Sequence, residues 1–119
     1  MQQQAKYSIC PKAGTKEMYT MIDCAAICEA TAIQCAIDGN KKIAKLCIEC
    51  ADVCKLAWKC ACAESEHAKQ MMEICSQICM KCAAECEKNH SIACQECAEI
   101  CKMAAKSSTT CCEKTTAAK

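Results

Sequence analysis

The sequence has no Phe and no Arg, one Pro and two Gly, and only 3% aromatic residues in a chain of 119. A core of ordinary thickness leans on large aromatic and branched side chains. An interior with only Tyr7, Tyr19 and Trp58 to draw on is narrow, or something else fills it. Pro11, Gly14 and Gly39 are the only helix breakers, which favours helix throughout. No basic block stands out and the net charge is +1, so neither nucleic acid nor a membrane surface is expected as a partner. No apolar run is read as reaching the roughly 18 residues of a membrane span. With two His, no Arg and no Gly-rich phosphate loop, no nucleophile–base–orienter set can be assembled, and an enzyme is not expected. The start Met1-Gln-Gln-Gln-Ala5 lacks the form of a signal peptide. A cytoplasmic protein is expected, and an exported one with a trimmed signal is the alternative.

What the chain has instead is sulfur, with 18 cysteines. A few buried cysteines pack as small hydrophobes, but this many call for a disulfide scaffold, a metal site or a redox relay. The length suits a single domain. Residues 1–15 read as an N-terminal tail, 16–106 as four helical segments, and 107–119 as a flexible Ser/Thr/Ala-rich tail. Segment one is expected over 16–37, ended by Asp38-Gly39-Asn40 with Gly39 as a left-handed cap. Segment two follows over 41–63. Ser65 is the expected cap of segment three, which ends near Glu87, and Asn89 or Ser91 that of segment four, which ends near Lys106. Helices of similar length joined by short connections close as an all-α, antiparallel up-down-up-down four-helix bundle.

The cysteines lie on one stripe of each segment. Cys75, Cys79, Cys82 and Cys86 step by 4, 3, 4 and fall within about 60° on the helical wheel. Segment two carries Cys47, Cys50 and Cys54, with Cys62 close to the stripe, and segment four Cys94, Cys97 and Cys101. Segment one carries Cys24, Cys28 and Cys35, with Thr31 standing where another Cys would complete the pattern. These fourteen form the candidate metal seam. Trp58 falls on the segment-two stripe and is expected to plug the core. Lys45, Glu49, Lys59, Lys81, Glu85, Glu96 and Lys102 mark the opposite faces. Cys10, Cys60, Cys111 and Cys112 lie off the stripes and are secondary candidates, as is His90, in the slot four residues before Cys94.

The spacing bears on the chemistry. Side chains at i and i+4 hold their Cβ atoms about 5–6 Å apart, whereas a disulfide needs about 3.8 Å. Five CxxxC pairs, such as Cys24/Cys28 and Cys97/Cys101, therefore argue against an oxidised state, although disulfides between helices remain open. A linear S–metal–S unit spans roughly 4.5 Å and fits that separation. Soft thiolates select Cu(I), Zn or Fe–S clusters. Buried thiolates also need neutralising: one Cu(I) per thiolate leaves no charge, whereas Zn on four thiolates leaves about two negative charges. Fe–S clusters usually draw some ligands from loops, and loops are scarce here. Many Cu(I) ions per chain, roughly 14 to 18, are the favoured cargo. A thiol–disulfide redox protein using Cys47/Cys50, Cys79/Cys82 or Cys94/Cys97, and a Zn(II) buffer of metallothionein type, remain the alternatives.

Between Ile22 and Lys106 the sequence resembles the copper storage proteins. The resemblance rests on Cys47-Ile-Glu-Cys50-Ala-Asp-Val-Cys54, Glu73-Ile-Cys75, Cys82-Ala-Ala-Glu-Cys86-Glu-Lys-Asn-His90 and Cys94-Gln-Glu-Cys97-Ala-Glu-Ile-Cys101. It implies a four-helix bundle holding Cu(I) on cysteine alone, often at CxxxC pairs and loaded from one end. It does not extend to Cys10, Cys111 or Cys112, and Thr31 lowers the expected capacity by about one site. Antiparallel topology gathers Met18, Met21, His67, Met71, Met72 and Met103 at one end. They read either as gap fillers or as weak ligands passing Cu(I) inward. Copper chaperones or small-molecule thiols are candidate partners, and a homo-oligomer is a further option.

Overall fold

Four helices account for nearly all of the backbone described by the computed structural model, which covers residues 16–117 with side chains through Thr109. They are α1 (Lys16–Ile37), α2 (Lys41–Cys62), α3 (Ala68–Glu87) and α4 (Ile92–Ala117). Local chemistry sets most of the boundaries. Gly39, at φ 85°, takes the left-handed turn that ends α1. Asn40 N then donates to Cys35 O at 2.8 Å. The Asn40 side chain caps α2 by accepting from Ile43 N at 3.2 Å. Ser91 does the same for α4, accepting from Cys94 N at 3.1 Å.

Two boundaries differ from expectation. Ser65 Oγ accepts from His67 N at 3.0 Å, a local turn that uses up the cap, so α3 starts at Ala68. The last helix does not stop near Lys106 but runs to Ala117. Ala104, Ala105 and Ser108 are buried, so the stretch after Lys106 still has a face to pack, and its Ser and Thr hydroxyls bond back to the helix. Thr109, for example, donates to Ala105 O at 3.2 Å.

The helices form a ring in which each touches the next and α1 touches α4. Sulfur pairings give the directions. Cys24 meets Cys101 and Cys28 meets Cys97, so α1 and α4 run oppositely. Cys50 meets Cys79 and Cys54 meets Cys75, so α2 and α3 do too. Outer-face ion pairs tie neighbours together: Lys55 with Glu29, Lys102 with Glu87, and Lys42 with Glu85 at 3.2 Å.

The buried seam is made of Cys and Ala with few larger side chains, chiefly Met18, Met21, Met72 and Ile43. Trp58 does not plug it. Ala57 and Ala61 continue the α2 stripe inside. The indole instead lies half-buried in a surface groove with Ile22, Ala26, Glu29 and Lys55, because the seam is too narrow for it. Among the described residues, α1 is by length and composition apolar enough to cross a membrane, contrary to the reading above. Much of that apolarity is Met, Cys and Ala on the face turned into the bundle.

Candidate metal centre

Thirteen of the fourteen expected seam cysteines are buried, at 0–4% exposure. Stripe periodicity places them: with a step of 4, 3, 4 every member faces the axis of the ring. Eleven join in one column through Sγ–Sγ contacts of 3.6–4.0 Å. From one end the order is Cys75, then Cys54 and Cys79, then Cys24 and Cys50, then Cys28 and Cys101, then Cys82 and Cys97, then Cys47 and Cys86. Contacts even cross the diagonal of the ring, as between Cys47 and Cys97 at 3.8 Å and between Cys50 and Cys101 at 3.9 Å. The remaining two, Cys35 and Cys94, meet each other at 3.7 Å.

Four groups of four sulfurs lie within 4.8 Å of one another, and they overlap. Cys24 and Cys50 belong to the first two groups, Cys28 and Cys101 to the second and third, and Cys82 and Cys97 to the third and fourth. Separate tetrahedral ions cannot fill all four, because each would need its own four ligands. Bridging thiolates suit shared membership. At a metal–sulfur distance of about 2.3 Å a three-coordinate ion holds its sulfurs about 4.0 Å apart and a two-coordinate ion about 4.5 Å, so the observed spacing needs little movement to accept either.

Among the described residues no Lys approaches the column from within: Lys45, Lys59, Lys81 and Lys102 are exposed. None of the fifteen described cysteines is in a disulfide, and the contact distances lie far beyond the S–S bond of about 2.05 Å. Burial, with hydrogen bonding to Cys94 adding to it, pushes the Cys35 thiol up to about 12. In the column, Cys75 is lowered, by its hydrogen bond with Cys54 first and then by Cys79. Cys54 and Cys79 are raised, each by Cys24 first and then by Cys50.

The other expected residues are placed less uniformly. Cys62 is half-buried and stands outside the four-sulfur groups, because Ala61 takes the seam position beside it. Cys60 is half-buried as well. Met18, Met21 and Met72 are buried at the Cys75 end and Met71 is partly buried, whereas Met103 and His67 are exposed. His90 is exposed at the opposite end. Cys10, Cys111 and Cys112 fall outside the residues whose side chains are described.

Sequence reasoning missed Ser108. It is fully buried, and its hydroxyl lies 3.3 Å from Cys75 Sγ and 2.9 Å from Ala104 O, with one proton to donate to either. Its position seven residues after Cys101 continues the α4 stripe, a signal that was there to be read. Thr31 is buried where the stripe predicts it, with its hydroxyl turned back to Ile27 O at 2.8 Å.

Comparison with known proteins accords with this geometry. A family model described as copper storage protein matches residues 11–116. Two solved structures are similar. Apo copper storage protein 3 from Bacillus subtilis has 30% identity and a TM-score of 0.75, over 81% of this chain and 95% of that one. The Cu(I)-bound copper storage protein BsCsp3 has 30% identity and a TM-score of 0.74, over 79% and 92%. A search of curated proteins gives no match.

Proposed function

The chain belongs to the copper storage protein family and stores Cu(I) on cysteine thiolates, and we propose that its thirteen buried cysteines are the ligands, at about one ion per thiol. The observation that carries this reading is the continuous column of touching sulfurs with overlapping four-sulfur groups. A bridged array of equal numbers of Cu(I) and thiolate is neutral, which suits a column with no cation inside it among the described residues.

The buried thioethers of Met18, Met21 and Met72 lie at the Cys75 end. They make a port of weaker ligands through which Cu(I) passes inward by exchange, with half-buried Met71, Cys60 and Cys62 beside it. Cys62 is a ligand of this port rather than of the column. Fifteen cysteines without a disulfide suit a reducing compartment, which supports the cytoplasm. Copper chaperones or small-molecule thiols are the proposed donors and acceptors, and the exposed Ile33, Ile37 and Leu56 suit a homo-oligomer. The role is storage without catalytic turnover.

Anaerobic titration with Cu(I) against a competing chelator tests the reading. Uptake of more than about ten ions per chain is expected. Saturation at one to four ions, or preferential retention of Zn(II), refutes it.

A further inference from the structure

The sulfur column stops before the end of the bundle. Beyond Cys28 the α1 stripe passes through Thr31, 2% exposed, before reaching Cys35. The Thr31 hydroxyl is committed to Ile27 O, so this position supplies no sulfur and no free donor. On α2 the stripe position one turn before Cys47 is the buried Ile43. Past Cys86, α3 ends at Glu87. At this level only α1 and α4 still offer thiols, Cys35 and Cys94, at 3.7 Å from each other and in none of the four-sulfur groups.

We propose that Cys35 and Cys94 form a discrete site for one Cu(I) ion, separated from the column by Thr31, and that this ion binds last and leaves first. The proposal rests on the storage reading above and divides the store into two unequal compartments. In the column each thiolate can bridge, so ions and thiolates can be equal in number. The pair has no third sulfur to share. Loading it replaces two S–H protons with one Cu(I), releases both protons, and leaves a buried unit of net charge −1. The helix dipoles roughly cancel: Cys35 is in the last turn of α1 and Cys94 in the first turn of α4.

Chelator-competed Cu(I) titration of the full chain tests this. The wild type is expected to fill the column first and to take one further ion at roughly tenfold higher free Cu(I). Cys35→Ser and Cys94→Ser should each remove only that last step. Thr31→Cys should merge the step into the main rise by extending the sulfur path, whereas the near-isosteric Thr31→Val should keep it. A wild type that takes up many ions with no separable final step, loss of two or more ions in Cys35→Ser, or a final step that survives in Thr31→Cys would each overturn the proposal. Saturation of the wild type at a few ions would instead sink the storage reading itself.

Discussion

Adding Cu(I) to the metal-free protein in a weakly buffered, oxygen-free solution should acidify it by close to one proton per ion. The ratio follows from charge balance in the seam. Thirteen thiols are buried, and the Lys residues nearest in sequence point outward. An uncompensated ion in such a place costs several kcal/mol, so the metal-free seam must stay near neutrality. The thiol at Cys35, up to about 12, keeps its proton at neutral pH. In the column the shifts run both ways, with Cys75 lowered and Cys54 and Cys79 raised by their sulfur neighbours, and it is the burial of the thiols that holds the metal-free column near neutrality. Each entering Cu(I) then displaces about one proton, and filling the thirteen buried thiols releases about thirteen. The sign for affinity follows. Because binding releases protons, falling pH opposes it, and the apparent affinity per ion should drop about tenfold for each pH unit below neutrality. A pH-stat fed with Cu(I) as its acetonitrile complex reads the ratio directly. Zn(II) on four thiolates would release up to about four protons per ion. Release below about half a proton per Cu(I) would show that thiolates stand ready-made in the seam, against the charge argument.

Three further outcomes follow from the same geometry. Cys101 touches Cys24, Cys28, Cys50 and Cys97 at 3.6–4.0 Å. Cys101→Ser should therefore lower capacity by about two ions, because bridging ligands are not additive; metal-to-protein ratios after gel filtration check this. Ser108→Ala should leave capacity unchanged and shift the urea midpoint of the metal-free protein by the equivalent of about 1 kcal/mol. Ser108→Cys, on the same stripe, should add one ion, and an unchanged capacity would contradict its placement in the seam. Copper should dominate stability: one ion held at a hundred times its dissociation constant adds about 2.7 kcal/mol, or on the order of 10 °C in Tm for a domain of this size. Anaerobic calorimetry of the loaded protein should find no transition within reach, and a total rise under about 10 °C would contradict a metal-filled core.

Much of this was legible in the sequence because one periodic signal dominates it. The expected bounds of segment one match α1, since Gly39 and Asn40 mark both sides of the turn. The stripes on α1, α3 and α4 needed no tertiary knowledge, because a step of 4, 3, 4 can face only one way. Errors arose where two neighbours competed for the same arc. On α2, Ala57 and Trp58 flank the stripe equally and only the width of the channel decides in favour of the smaller residue, whereas Ala61 lies on the stripe and Cys62 roughly 90° from it. Composition alone also misjudged the chain after Lys106. Ser, Thr and Ala suggest a loose tail, yet α3 offers a face for Ser108 to pack on, and that face is a tertiary fact.

The shortage of aromatic residues and the abundance of sulfur express one constraint. Sulfur contacts of 3.6–4.0 Å across the ring require the four backbones to approach closely. Buried Ala51, Ala57, Ala83, Ala98 and Ala104 permit that approach. A Phe at any of these positions would overpack the seam and part the helices. It would carry sulfurs beyond the roughly 4.5 Å that a two-coordinate ion can span. The same small residues bury little apolar surface, so the metal-free bundle forgoes much of the usual driving force for folding. Cohesion that other bundles draw from Leu and Phe is left to metal–sulfur bonds. Capacity and dependence on cargo are therefore not separately adjustable in this fold: each large side chain that would firm up the empty protein would also remove room for ions.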